Sequence, residues 1–236
     1  REELLDLFRQ SGAEFDLYND RIAGIRLERA EVAQITEWVL KGDSKHRLGM
    51  LLDQPGGGKT VVMRHVRQRL IDENVSVLAI KADNLSPVRS RDDLREWLKL
   101  PLPVEDCVKQ LLSEGPVVVL IDQLDALSLA LSRDQATLDV MLDTIARLHA
   151  LEGVRILASC RTFDLHNDPR LSAIEIDQKF ELQPLDESQI NQVLQTLGVA
   201  PVQLLPDHRR LLAVPLHLAI YAGIVGETEP RPIESF

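Results

Sequence analysis

The fold is decided by one stretch of sequence, Leu48-Gly-Met-Leu-Leu-Asp53-Gln-Pro-Gly-Gly-Gly-Lys-Thr60. Its first five residues are a short apolar run of the kind that forms a buried β-strand. Three consecutive glycines follow, and a helical pattern then continues over residues 59–72. A buried strand, a glycine-rich turn and a helix in this order are the context in which a phosphate-binding loop occurs. The sequence therefore predicts a phosphate site at this turn.

Each part of the loop has a chemical reason to hold phosphate. Glycines let successive backbone N–H groups curl around the phosphate oxygens, and the positive end of the following helix points at them. Lys59 supplies a mobile cation, and Thr60 offers its hydroxyl to Mg²⁺. Asp53 stands where the pattern G-x-x-x-x-G-K-[ST] has glycine, so we expect a carboxylate near the phosphates that weakens binding. The predicted nucleotide contacts are Gln54, Pro55, Gly56, Gly57, Gly58, Lys59, Thr60 and Val61.

A second apolar run, residues 117–121, ends in Asp122. A carboxylate at the carboxyl edge of a parallel sheet would lie beside the phosphate loop, so we predict that Thr60 and Asp122 hold Mg²⁺. The next residue is Gln123, which can orient a water molecule but cannot accept its proton. Asp125 is therefore the candidate catalytic base, and a helix N-cap is the alternative interpretation of this residue.

A third polar strand end follows residues 154–159 and carries Arg161. A cation at this position can sense the γ-phosphate if its strand lies next to the strand of the phosphate loop. The alternatives are a surface arginine paired with Asp164, or Ser159 as the sensing residue. The predicted catalytic residues are thus Lys59, Asp122, Asp125 and Arg161.

The rest of the chain alternates short apolar runs with helical patterns, which is typical of strand–helix–strand units with parallel strands. We therefore predict an α/β fold with three layers, α/β/α, and a central parallel sheet of about five strands. After Pro184 the pattern becomes entirely helical, which predicts a small all-helical domain. The predicted strands cover residues 48–52, 75–80, 117–121, 154–159 and 174–182, and the last two helices cover 186–197 and 207–222.

This pattern divides the chain into four predicted segments. They are an N-terminal helical linker at 1–24, the core at 25–183, a helical subdomain at 184–225 and a C-terminal tail at 226–236. The sequence starts at Arg1 in a helical pattern with no initiator Met, which we interpret as a piece of a larger protein.

Composition narrows the class of protein. The 236 residues carry a formal net charge of −10, which argues against a generic nucleic-acid surface because such a surface needs a basic patch. Cys107 and Cys160 lie far apart without metal-ligand spacing and fit a reducing compartment. No apolar run reaches membrane-spanning length. We expect a cytoplasmic protein without a membrane partner.

Together these motifs resemble the STAND class of P-loop ATPases, which is related to AAA+ proteins and includes the NACHT and NB-ARC families. Arg29, in Leu27-Glu-Arg29-Ala-Glu31, matches a segment that borders the nucleotide base in that class. Leu182-Gln-Pro-Leu185 resembles the start of its helical domain. Val214-Pro215-Leu216 resembles a motif whose proline approaches the nucleotide. The resemblance thus adds Arg29 and Pro215 to the predicted nucleotide contacts.

The resemblance implies a P-loop NTPase fold, ATP or ADP with Mg²⁺ as cofactors, and slow hydrolysis. It also implies a signalling or antiviral-defence switch whose nucleotide state controls self-association, with effector and sensor domains outside this chain. Two alternatives remain: an AAA+ motor or loader with an arginine finger, for which Arg133 and Arg170 are candidates, and a nucleotide-binding scaffold without turnover. Nucleic acid is not indicated as a partner.

The helix that follows the phosphate loop carries several basic residues outside the motif. We expect His65, Arg64, Arg67 and Arg69 to lie on a solvated helix surface. Trp38 is expected to serve packing.

Overall fold

The computed structural model describes residues 2–43, 45–85, 87–128, 135–200 and 205–227. Arg133, one of the two candidate arginine fingers, lies outside these ranges, as does most of the predicted C-terminal tail. A short antiparallel hairpin, β1 (Arg21–Ile22) and β2 (Ile25–Arg26), precedes the main sheet. This hairpin was not predicted from the sequence.

The centre of the fold is a parallel five-stranded sheet in the order β4-β5-β6-β3-β7. Mostly buried apolar residues form β3 to β6 because helices cover both faces of the sheet, whereas β7 at the edge is polar apart from Phe180. The register places Asp53 beside Arg161 and Lys81 beside Asp122 at one edge of the sheet. The strands are β3 (Leu48–Asp53), β4 (Ser76–Lys81), β5 (Val117–Asp122), β6 (Val154–Arg161) and β7 (Gln178–Glu181).

Eleven α-helices occur in the described ranges, and those of the core lie in two layers. The helices are α1 (Glu2–Gln10), α2 (Ala30–Lys41), α3 (Lys59–Asp72), α4 (Arg91–Trp97), α5 (Val104–Leu111), α6 (Ala136–His149), α7 (Thr162–Asn167), α8 (Pro169–Ser172), α9 (Glu187–Thr196), α10 (Pro206–Leu212) and α11 (Pro215–Glu227).

Two apolar clusters separate the layers of the core. On one face of the sheet, Phe8 of α1 packs with side chains of α4, α5 and α6. On the other face, Ile35 of α2 packs with Val62 and Met63 of α3. Helices therefore cover both faces of the parallel sheet, and the predicted three-layer α/β/α fold is confirmed.

Helices α9, α10 and α11 bury their apolar side chains mainly in a third cluster of their own, which includes Ile190, Leu212 and Leu218. Leu27, just after the hairpin, and Leu185, just after the sheet, join this cluster. The small all-helical part predicted after Pro184 is therefore present, while the boundaries of the four segments remain predictions.

The predicted single helix at 207–222 is wrong, because α10 ends at Leu212 and α11 begins at Pro215. Proline has no N–H for a helical hydrogen bond, and its ring disfavours helical angles at the preceding Val214. Within the described residues, no single helix is long and apolar enough to cross a membrane. Only residues 206–212 and 215–226 taken together meet that criterion, and a bend of 105° separates them.

Candidate functional site

The phosphate loop joins β3 to α3 as the sequence predicts. Gly56 has a φ of 81°, which lies in the left-handed region that favours glycine. The ammonium of Lys59 is buried and donates to the backbone carbonyls of Asp53 and Gln54, at 3.2 and 3.1 Å. Burial lowers the pKa of Lys59, although nearby carboxylates oppose the shift. The Lys59 side chain therefore folds back over the phosphate loop.

Asp53 places its carboxylate against the same loop. Its Oδ1 accepts the backbone N–H of Gln54 at 2.6 Å. A Cβ added at Gly57 would lie only 1.3 Å from Oδ2 of Asp53, so the carboxylate fills the space that a side chain at Gly57 would need. Burial raises the pKa of Asp53, despite the Gln54 N–H and the Lys59 cation.

Asp122 lies fully buried at the end of β5. Thr60 Oγ1 donates to Asp122 Oδ2 at 2.7 Å, and Ser159 Oγ donates to Oδ1 at 2.6 Å. The backbone N–H of Gln123 donates to Ser159 Oγ at 2.9 Å, and its side-chain amide reaches Thr60 Oγ1 at 3.4 Å. Ser159, proposed as a sensing residue, thus orients Asp122 in this structure.

Asp125 and Arg161 form an ion pair with each other. Arg161 Nε lies 3.1 Å from Asp125 Oδ2, and the Arg161 backbone N–H donates to Oδ1 at 3.1 Å. Burial raises the pKa of Asp125, although Arg161 opposes that shift. Asp125 lies in the turn Leu124–Leu127, whose N-cap is Gln123, so the N-cap interpretation is wrong. Arg161 is paired with Asp125, which contradicts the alternative interpretation that it pairs with Asp164.

Strand β6, which carries Arg161, lies between β3 and β5. The condition set for a γ-phosphate sensor, a strand next to that of the phosphate loop, is therefore met. Arg170, the arginine-finger candidate within the described residues, lies 3.5 Å from Asp168 and 3.7 Å from Asp139. Both partners belong to this same chain.

The phosphate loop, Asp125 and Arg161 line one cavity of about 430 Å³, a size that fits a small-molecule ligand. The predicted nucleotide contacts that line it are Arg29, Pro55, Gly56, Gly57, Gly58, Lys59, Thr60, Val61 and Pro215, together with Asp125 and Arg161. Two predicted residues do not line the cavity. Gln54 is outside its wall, and Asp122 lies beneath Thr60.

The start of helix α11 is in direct contact with the phosphate loop. The backbone N–H of Leu216 donates to the Gly56 carbonyl at 3.1 Å. A Cβ added at Gly56 would lie 2.9 Å from Cβ of Leu216, so the two segments pack closely. Pro215 lies near Gly58, with 3.8 Å between its Cγ and an added Cβ there.

Arg29 and Glu31 hold the chain where it leaves the sheet. Glu31 Oε1 accepts the backbone N–H of Gln183 at 2.8 Å, and Arg29 donates to the carbonyl of the same residue. The guanidinium and the carboxylate also lie 3.4 Å apart. Burial works against the charged form of Glu31, but the Gln183 N–H and Arg29 keep its pKa below the ordinary value.

One wall of the cavity carries no predicted site residue and is formed by Tyr18, Asn19, Asp20 and the hairpin. Residues 13–20, here called the N-terminal strap, lack a motif that could have identified them. Basic residues of α3 fasten this strap: Arg64 donates to the Tyr18 carbonyl at 2.7 Å, and His65 lies 3.1 Å from Asp20.

The prediction that these basic residues of α3 are solvated is wrong for two of them. His65 and Arg67 are buried, and Arg67 contacts Asp16 of the strap at 3.6 Å. Burial lowers the pKa of His65 despite its contact with Asp20. Arg69 is exposed as expected.

The donor set fits a magnesium ion that also binds a phosphate. The Thr60 hydroxyl at the cavity wall and the Asp122 carboxylate beneath it lie within hydrogen-bond distance of each other, and Mg²⁺ prefers such oxygen ligands. No cluster of three or more metal-ligating side chains occurs in the part of the chain that the structure describes. Magnesium held by few protein ligands and completed by phosphate and water is consistent with that finding.

The fold and the site define a P-loop ATPase. Residues 50–183, more than half of the chain, match the family described as "ATPase family associated with various cellular activities (AAA)". The chain belongs to this AAA family. No curated protein sequence matches it.

Solved structures share the fold at low sequence identity. A Walker-type ATPase of Pyrococcus abyssi aligns with a TM-score of 0.59 and 15% identity, over 92% of this chain and 72% of its own. DnaA of Aquifex aeolicus bound to AMPPCP gives 0.54 and 16%, over 89% and 66%. The ORC1 protein of Aeropyrum pernix in complex with DNA gives 0.51 and 17%, over 85% and 61%. At these identities the likeness shows the fold alone.

Proposed function

We propose that the chain binds ATP and ADP with Mg²⁺ in this cavity. Lys59 and the loop backbone would hold the phosphates, and Thr60 with Asp122 would hold the metal, which supplies charge neutralisation at the phosphate oxygens. Membership of an ATPase family supports this assignment, as does a shared fold with an AMPPCP-bound protein.

The observation that carries the proposal of a switch is the composition of the cavity wall. The phosphate loop forms one side, and Pro215, Leu216 and Ala219 of α11 form another. A ligand that contacts two structural units binds best to the arrangement in which both units touch it, so it shifts their equilibrium. ATP and ADP differ only at the γ-phosphate, which the Lys59 and Arg161 side chains would distinguish.

Hydrolysis is expected to be slow. Gln123 cannot take a proton from water, and the candidate base Asp125 is already paired with Arg161. This pair also favours a second candidate function, a nucleotide-binding scaffold without turnover. A movement of Arg161 toward a γ-phosphate that weakens its contact with Asp125 would free the carboxylate to act as a base.

We further propose that this domain is the switch of a larger STAND-type signalling or defence protein, in which ATP favours self-association. The resemblance at Arg29, Pro215 and Leu182-Gln-Pro-Leu185 supports the subclass. The chain spans 61–72% of the length of the solved structures that it resembles. We propose effector and sensor activities only for segments outside these 236 residues.

Phosphate release and light-scattering mass, measured on the same samples, test this function. A slow switch gives measurable phosphate release that Asp125→Asn abolishes, and a larger mass with a non-hydrolysable ATP analogue than with ADP. Asp122→Asn serves as the metal-site control. Nucleotide binding without any release supports the scaffold. Equal masses in both nucleotide states contradict control of self-association by this domain.

A further inference from the structure

A buried lysine outside every predicted motif lies beside the metal carboxylate. Lys81 ends strand β4, pairs in register with Asp122 and is only 3% exposed. Its ammonium lies 3.4 Å from Asp122 Oδ2, the oxygen that also accepts the Thr60 hydroxyl. A second carboxylate, Asp83, lies 3.2 Å from the same ammonium.

Lys81 also contacts the N-terminal strap. Its ammonium lies 4.6 Å from the ring centroid of Tyr18, which lines the cavity, and 5.9 Å from that of Phe15. Aromatic faces at such distances attract cations. Two carboxylates and two aromatic faces around the ammonium favour its charged form. Lys81 is therefore a cation with partners on both sides.

A metal ion held by Thr60 and Asp122 would interact with the same carboxylate charge as Lys81. Two cations at one carboxylate repel each other, and the repulsion is strong where water is largely excluded. Asp122 is fully buried, so screening by solvent is weak at this point. The metal and the ammonium therefore compete for the charge of Asp122.

We propose that Lys81 is a built-in countercation of Asp122 that limits how much Mg²⁺ strengthens nucleotide binding and that links the metal site to Tyr18. This inference rests on the proposed binding of nucleotide and metal in the cavity. Without metal, Lys81 neutralises Asp122. With metal, Lys81 keeps Asp83 and Tyr18 as partners, which strengthens its hold on the strap wall of the cavity. Lys81 is a positioning residue, since nothing places it on the nucleotide itself.

The test is a ratio of two ADP dissociation constants, the value in EDTA divided by the value in saturating Mg²⁺, measured by calorimetry on the full chain. A higher ratio means that Mg²⁺ strengthens ADP binding more. Lys81→Met keeps the apolar stem and removes the charge, so the ratio should rise by roughly tenfold or more. Lys81→Arg restores a cation and should return the ratio toward the wild-type value. A purely structural role would weaken binding equally in both conditions, and an unchanged ratio in Lys81→Met overturns the proposal.

Asp83→Asn provides an independent variant with the opposite expected sign. It removes the charge of the second carboxylate near Lys81, so Lys81 should interact more strongly with Asp122. The ratio should therefore fall below that of the wild type. This variant decides the question if Lys81→Met does not fold, and an unchanged or raised ratio contradicts the proposal. If the wild type binds ADP in neither condition, both this inference and the proposed nucleotide function are wrong.

Discussion

Asp53 shows how one residue can set the strength of a phosphate site. Its carboxylate lies against Gly57 and accepts the N–H of Gln54, inside the loop that is proposed to hold phosphates. A negative charge there repels phosphate, and partial burial limits screening of that repulsion. Burial also raises the pKa of Asp53, so its charge is lost at a higher pH than that of an exposed aspartate.

Asp53→Asn is expected to tighten ADP binding several-fold at pH 7, because it removes this repulsion. Burial raises the pKa of Asp53, so this carboxylate is neutralised at a higher pH than an ordinary aspartate, and the affinity of the wild type approaches that of the variant as the pH is lowered. Calorimetry at pH 7 and at a series of lower pH values measures this. Asp92→Asn, which changes an exposed carboxylate outside the loop, is the control. Equal ADP affinities of the wild type and Asp53→Asn at pH 7 contradict the prediction.

Arg161 is predicted to distinguish ATP from ADP. Arg161→Met should lower affinity for a non-hydrolysable ATP analogue about tenfold and leave affinity for ADP nearly unchanged. Loss of Arg161 also leaves the buried Asp125 without its cationic partner and should lower the free energy of unfolding. The double variant Arg161→Met with Asp125→Asn removes both charges and separates these effects. Equal losses for both nucleotides in the double variant would show that Arg161 is not a sensor.

At the scale of elements, α3 links the phosphate loop to the N-terminal strap. Arg67, near the middle of this helix, is buried, contacts Asp16 of the strap and donates to the carbonyl of Arg9 in α1, while Arg69 on the same helix is exposed. Arg67→Met should lower the free energy of unfolding by about 2 kcal/mol because it breaks a charged hydrogen bond in a buried place. Arg69→Met should change it by less than about 0.5 kcal/mol. Urea denaturation measures both, and equal effects would mean that Arg67 does not fasten the strap.

A similar matched pair of variants, both of them glycine to alanine, tests the contact between the phosphate loop and α11. Gly56→Ala places a methyl group 2.9 Å from Leu216 in a left-handed conformation, so it should displace α11 and weaken nucleotide binding. Gly223→Ala adds a methyl group where no atom lies within 4 Å and should stabilise the helix by about 0.5–1 kcal/mol. Binding and thermal melts together report the outcome. Normal binding by Gly56→Ala would show that the contact is dispensable.

The elements that the sequence predicted best are those whose signal is local. The buried strands and the phosphate loop follow from apolar runs and glycines, and α3 was predicted with its observed limits, Lys59–Asp72. The elements that it missed depend on distant partners. His65 and Arg67 contact carboxylates of the strap, and Lys81 lies beside Asp122 because β4 pairs with β5.

At the scale of the whole molecule, the cavity lies where three parts of the chain meet. The phosphate loop, the N-terminal strap with its hairpin, and α11 each contribute a wall. Local patterns predicted the loop and, through resemblance, Arg29 and Pro215. They could not predict Tyr18 or Asp20, because only the folded chain brings the strap to the loop.

The most direct test of the central claim, that a nucleotide binds at this junction through Lys59, is calorimetric titration with Mg²⁺-ADP and Mg²⁺-ATP. Wild type should bind both nucleotides, and Lys59→Ala should lose at least about tenfold in affinity while keeping its thermal melt. Lys179→Ala removes an exposed lysine from β7 and should bind like the wild type. A wild-type chain that binds neither nucleotide, or a Lys59→Ala variant that binds as tightly as the wild type, would contradict the account.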